Sequence, residues 1–225
     1  MIDFKGSQFE REIILWGVRW YVAYPMSYRQ LEEMMGERGV TVDHSTLNRW
    51  VIKYAPEVEK QFRRQQRLVG RSWWMDETYV KIKGKWAYLY RAVDKEGQTI
   101  DFLLTPQRDR DTAKAFLCKA IRNQELPEKI TIDQSGSNTA AIMHYNKMHK
   151  TAIVMRHSKY LNNLVEQDHR AVKRIVHPML GFKSFWAACC MIAGIEVMHA
   201  VRKGQLLTAE NAPQTPAEQF YALAA

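Results

Sequence analysis

At Ser72 the sequence changes period. Before it, apolar residues recur at the three- and four-residue spacing of amphipathic helices, and after it they alternate as strands do. Trp73 to Lys81 reads as a strand carrying Asp76, and Trp86 to Val93 as a second, with a turn at Lys83-Gly84 between them. Asp94-Lys-Glu-Gly97 turns into a third strand, Thr99 to Leu104. Helix and strand then take turns: a helix near Asp111 to Asn123, a strand Lys129 to Ile132 ending at Asp133, a helix from about Ser137 to Lys150, and a strand Ala152 to Met155. A last helix follows across Tyr160 to Lys173. The order β-β-β-α-β-α-β-α predicts an α/β layer architecture, a mixed sheet flanked by helices.

The first third is all helical in pattern. Phe9 to Tyr24 reads as a helix closed by Pro25. Ser27-Tyr-Arg-Gln30 is a capping box opening a second, with Leu31 and Met34 or Met35 inward. After a turn at Gly36 to Gly39, Asp43 or Ser45 caps a third helix through about Tyr54, which Pro56 is expected to end. Its buried stripe is Leu47, Trp50, Val51 and Tyr54, leaving His44, Thr46, Asn48, Arg49 and Lys53 mainly outward. This is a helix-turn-helix pattern, and Asn48 and Arg49 suit adenine and guanine edges in a major groove. Any small three-helix bundle shares the pattern; the net charge of +9 and pI near 9.5 tilt it toward a polyanionic partner.

Residues 57–71 form a charged connector in which Lys60, Arg63, Arg64, Arg67 and Arg71 are either a solvated helix face or phosphate contacts. The predicted division is 1–56 helix-turn-helix DNA-binding domain, 57–71 basic linker, 72–205 catalytic domain and 206–225 tail, where Pro213 and Pro216 break regular structure. No apolar run is expected to span a membrane and no signal-peptide pattern opens the chain, so a soluble intracellular protein without a membrane partner is expected. Cys118, Cys189 and Cys190 lack zinc spacing and read as reduced core residues.

Three carboxylates carry the chemistry of this pattern. Asp76 projects from the first strand, Asp133 ends the fourth, and Glu166 lies on the last helix, from which it can reach them where the strands are neighbours. Three hard oxygen donors suit Mg²⁺ or Mn²⁺. On the helix, Glu166, His169, Arg170 and Lys173 sit at i, i+3, i+4 and i+7, one face that serves a metal and a phosphate backbone together. Each residue also has a plain role: a solvated strand residue, a turn former, or an i, i+4 ion pair between Glu166 and Arg170. Glu77 and Asp168 are rival carboxylates, Glu77 on the opposite sheet face from Asp76.

The chain resembles the DDE transposases of small bacterial insertion sequences, in particular the cointegrate-forming family numbered six. The resemblance runs to about Gln205. It is carried by Phe4-Lys-Gly6, Asp43-His-Ser-Thr46, Met75-Asp-Glu-Thr-Tyr-Val80, Trp86-Ala-Tyr-Leu-Tyr-Arg-Ala-Val-Asp94 and Tyr160-Leu-Asn-Asn163. Glu166-Gln-Asp-His-Arg170, Leu180-Gly-Phe-Lys-Ser184, Gly194-Ile-Glu196 and Arg202-Lys-Gly-Gln205 complete it. It implies an RNase H-like fold with the triad on Asp76, Asp133 and Glu166 holding two Mg²⁺ ions (Mn²⁺ can substitute), and Lys173 as the basic residue after the glutamate. It also implies binding to terminal inverted repeats, cutting of 3′ ends, joining to target DNA, and a homodimer or higher oligomer in the bacterial cytoplasm, on the nucleoid. The 32 residues from 134 through 165 are a spacing that suits the family. One departure is Gln134-Ser-Gly-Ser-Asn138, where a Lys or Arg followed by Ala-Tyr is usual. The alternatives are an RNase H-like nuclease or resolvase without strand transfer, and a DNA-binding repressor with an inactive core.

Overall fold

The computed structural model describes residues 2–133, 136–158, 163–207 and 215–224, and the chain forms two compact units. Residues Leu68–Ala171 make one; Met1–Arg67 and Val172–Ala225 together make the other.

The first of these units is built on a five-stranded sheet. Its strands are β1 (Ser72–Ile82), β2 (Lys85–Asp94), β3 (Thr99–Thr105), β4 (Lys129–Ile132) and β5 (Val154–His157), in spatial order β3-β2-β1-β4-β5. The first three pair antiparallel, and β4 and β5 add in parallel. That is the mixed sheet of an RNase H-like core, with crossover helices α4 (Arg110–Asn123) and α5 (Gly136–His149) between the later strands. Lys83 (φ 48°) and Gly84 (φ 77°) both take left-handed backbone, as a two-residue hairpin turn requires. Trp73, Met75, Tyr90, Ala92, Ile130 and Ile132 point to one face, where Ala113, Phe116 and Leu117 of α4 and Ala141 and Ile142 of α5 pack on them. By strict alternation, Trp74, Asp76, Arg91, Thr131 and Asp133 belong to the other face.

The second unit gathers α1 (Arg11–Ala23), α2 (Tyr28–Gly36), α3 (His44–Gln65), α7 (Phe185–Arg202) and α8 (Pro216–Ala222). The capping box at Ser27 and Gln30 forms as the sequence requires, and Leu31 and Met35 are buried. Three expectations fail here. Pro56 does not end α3: the helix runs on to Gln65, through much of the charged stretch. A proline inside a helix costs about 3 kcal/mol. Burial of Val58 and Phe62 on the stripe of Leu47, Val51 and Tyr54 offsets it, at roughly 1.5–3 kcal/mol per fully buried side chain. Nor does Pro216 break structure; it occupies the first turn of α8 behind the Thr215 cap, where its missing N–H costs nothing. Finally, α7 is long and apolar enough to cross a membrane by length and composition, yet 67% of it is buried and it packs on α1 and α3. A Cβ on its Gly194 would lie 2.7 Å from Val22 Cγ1 and 2.9 Å from Ala55 Cβ, so the three helices meet at a point only glycine fits.

The unit boundary falls inside α6 (Asn163–Val176), and residues from Val172 group with the N-terminal helices rather than with the sheet.

Candidate active site

Asp76 and Asp133 are brought to one level by strand register. β1 and β4 run parallel with Ser72 opposite Lys129 and Trp74 opposite Thr131, and two further residues along each strand come Asp76 and Asp133. Alternation puts Asp76 on the sheet face away from α4 and α5, and Asp133 follows the last residue of β4. Across the hairpin Asp76 is opposite Arg91, whose side chain is fully buried.

Helix α6 meets that same face through two consecutive residues. Arg91 Nη2 lies 2.7 Å from Asp168 Oδ2, and His169 Nε2 lies 3.6 Å from Asp76 Oδ2. His169 therefore does not share the exposed face of Glu166: it is 5% exposed, on the buried stripe with Val165, Val172 and Ile175. Its place as a phosphate contact is corrected, because residues three apart diverge by about 60° around a helix and the packing needs that edge. Glu166, Arg170 and Lys173 are exposed. Neither ring nitrogen of His169 has a hydrogen-bond partner among the described residues.

Glu77 lies on the opposite face, as alternation predicted, but it is buried and built into the structure. It forms an ion pair with Arg108 and accepts a 3.1 Å hydrogen bond from Asn138 Nδ2 of α5. Burial pushes its carboxyl above the usual range; Arg108 and Asn138 pull it down, while Asp76 and Asp133 push it further up. Asn138 belongs to the departing stretch; Gln134 and Ser135 of that stretch, and residues 159–162, lie outside the described residues.

Among the described residues no three His, Cys, Asp or Glu side chains are close enough as they stand to surround a metal ion. The donor chemistry nonetheless fits a hard cation. Asp76 and Asp133 are oxygen donors at one level, and Glu166 is an exposed, long carboxylate one turn before the residue that touches Asp76.

The predicted reading helix is built as follows. Asp43 caps α3 by accepting from the backbone N–H groups of Ser45 and Thr46 and from both their hydroxyls, which holds its carboxyl well below the usual range. His44 Nδ1 is 2.9 Å from Glu32 Oε2, and Arg49 donates to the Thr46 hydroxyl at 2.6 Å. Asn48 is half-buried rather than outward; Arg49 and Lys53 are exposed and help line a cleft with Phe9, Trp50 and Tyr54. Beyond it, Arg63 pairs with Glu59 at 3.2 Å, Arg64 and Arg67 are exposed, and Arg71 is bridged to Glu125 and Glu128.

The family model described as a DDE domain matches residues 70–205, and that of the IS66 transposase family matches residues 6–124. The transposase for insertion sequence-like element IS431mec of Staphylococcus aureus is 41% identical over 201 residues, 89% of this chain and 88% of that one. The chain belongs to the DDE transposases of insertion-sequence family six. The transposase for insertion sequence element IS257 in transposon Tn4003, also of Staphylococcus aureus, is 40% identical over the same extent. Among solved structures, the HTLV-2 integrase catalytic core domain in complex with magnesium is similar at TM-score 0.47 and 15% identity, covering 68% of this chain and 97% of that one. The catalytic core domain of BIV integrase is similar at 0.45 and 18%, covering 68% and 95%.

Sequence reasoning missed Arg91, Arg108 and Asn138, and misplaced His169. Arg91 was within reach. A two-residue turn at Lys83-Gly84 makes partners equidistant from the turn, and that places Arg91 opposite Asp76.

Proposed function

We propose that this transposase binds the terminal inverted repeats of its element, cuts the 3′ ends and joins the resulting hydroxyls to target DNA. The observation that carries the reading is the parallel register that brings Asp76 and Asp133 to one level, with α6 anchored beside Asp76. Asp76, Asp133 and Glu166 would hold two Mg²⁺ ions, or Mn²⁺ in their place. Bound there, the metals supply Lewis acidity to the attacking and leaving oxygens of an in-line displacement. Arg170 and Lys173, exposed along α6, would contact the phosphate backbone and fix the strand relative to the carboxylates. Water and then the DNA hydroxyl are the nucleophiles, so no side chain need become covalently attached.

End reading falls to the helices of residues 1–56, through His44, Thr46, Asn48, Arg49 and Lys53, with Arg63, Arg64 and Arg67 farther along and beyond α3 adding phosphate contacts. The 72–205 segment carries the chemistry. Two ends must be paired, which calls for at least a homodimer, and the replicative outcome is a cointegrate formed on bacterial DNA in the cytoplasm.

The test is an incubation of purified protein with labelled element ends, a target plasmid and Mg²⁺. End-to-plasmid joined products support the reading. Nicks without joining favour a nuclease or resolvase, and binding with no Mg²⁺-dependent cleavage favours a repressor.

A further inference from the structure

The β1–β2 hairpin presents a surface that the carboxylate chemistry does not use. On the face shared with Glu77, Tyr79 and Trp86 are 47% and 61% exposed, values far from those of aromatic residues in a packed sheet. They form a continuous group. Tyr79 is directly opposite Tyr88 with ring centroids 5.4 Å apart, and Trp86 meets Tyr79 edge-on at 6.2 Å. The Lys81 ammonium sits 5.9 Å from the centre of the Trp86 ring. On the reverse face Val80, Ile82, Ala87 and Leu89 are all buried, so the hairpin is held by one side and displays the other. The tight turn at Lys83-Gly84, with Lys85 beyond it, keeps the tip short and positively charged.

We propose that this hairpin face, Tyr79, Trp86 and Tyr88 with Lys81, is a stacking platform for unpaired bases of a DNA strand. It rests on the reading that the substrate is DNA. Aromatic side chains stack on any base whose flat face is open, whereas bases inside a duplex have theirs covered by neighbours. Lysines attract the backbone without regard to sequence. Three clustered rings with a cation at their edge therefore select strand state, paired or unpaired, and not sequence. Tyr79 lies on the same strand as Asp76, three residues beyond it and so on the opposite face of the sheet, which keeps the platform apart from the carboxylates.

The experiment uses the full chain carrying Asp76→Ala, without metal, so that cleavage plays no part. The two probes are a short thymidine strand containing one 2-aminopurine and a fully paired duplex of the same length. Replacing Tyr79 and Trp86 with alanine together should weaken binding of the strand roughly tenfold to a hundredfold and abolish 2-aminopurine quenching. Duplex binding and the unfolding temperature should stay near those of the parent. Tyr79→Phe with Trp86→Phe keeps the rings and should keep strand binding, which separates stacking from a folding defect. Changing Lys81, Lys83 and Lys85 to alanine should lower the salt dependence of strand binding by about two ions. Equal losses on both probes, no loss on either, or a shift from dimer to monomer with unchanged strand binding each overturn the platform. A parent protein that binds neither probe would instead overturn the DNA reading beneath it.

Discussion

Arg91 and Asp168 form a buried ion pair, 2.7 Å between Nη2 and Oδ2, that ties α6 to the sheet directly beside Asp76. Their side chains are 0% and 8% exposed, so removing either one takes from the other its 2.7 Å charge partner in a low-dielectric interior. Asp168→Ala should destabilise the protein by about 3–5 kcal/mol, with Arg91→Ala similar, while the double change Arg91→Met/Asp168→Leu should be nearly neutral. Thermal unfolding of the three proteins checks this. A double variant destabilised by the sum of the two single changes would mean that the two charges do not depend on each other.

The three carboxylates should behave as a set. Asp76→Ala, Asp133→Ala and Glu166→Ala should each remove several decades of nicking and strand-transfer rate, as the loss of a proposed metal ligand requires, and leave end binding near that of the parent. Gel-shift and product assays on the same preparations separate the two effects. Full activity from any one variant would remove that residue from the site.

Lys173 tests the exposed face of α6. Removing one charge-assisted hydrogen bond to phosphate should cost about 1.5–3 kcal/mol, roughly one to two decades of rate, with steeper sensitivity to salt. Lys173→Arg should recover part of the rate. An unchanged rate for Lys173→Ala across a salt titration would make it an ordinary surface lysine.

Asn48→Ala and Arg49→Ala should each relax discrimination of element ends from random DNA, by roughly 1–3 kcal/mol for each base edge no longer read. The whole chain is the right vehicle. A fragment of residues 1–70 lacks α7, against which α1 and α3 pack, and exposes their apolar stripes. Competition binding with scrambled ends measures the effect, and undiminished discrimination in both variants would move recognition elsewhere.

Asp43 gives a pH signature. Its folded carboxyl is held below the ordinary value by the Ser45 and Thr46 hydrogen bonds, so its stabilisation is full above the usual carboxylate pKa and fades as pH falls through the folded one. Asp43→Asn should keep a cap and flatten that part of the acid dependence. Asp43→Ala should unfold at lower temperature than the parent at neutral pH, the gap narrowing in acid. Parallel melts across the acid range decide it.

Strand positions were legible because alternation and turn chemistry agree: Lys129 to Ile132 was read to the residue, and the hairpin turn at Lys83-Gly84 has the backbone its residues prescribe. The level shared by Asp76 and Asp133 could be anticipated only as adjacency, because parallel register is set by crossover packing and not by local sequence. Pro56 misled, since the penalty it signals is local while the burial that overrides it comes from partners distant in sequence. His169 misled for a related reason: on a short helix, one residue decides whether the edge of a polar face turns inward.

The meeting of helices at Gly194 has a consequence for the order of events during synthesis. Ala55 and Gly194 touch across 139 positions of chain, and the whole of Leu68–Ala171 is made between them. The sheet unit, continuous in sequence, can close as it leaves the ribosome, but the N-terminal helices must wait for α7 before their core is complete. A chain interrupted before Phe185 would thus carry Asp76 and Asp133 on a closed sheet unit while the helical unit is still without its central helix.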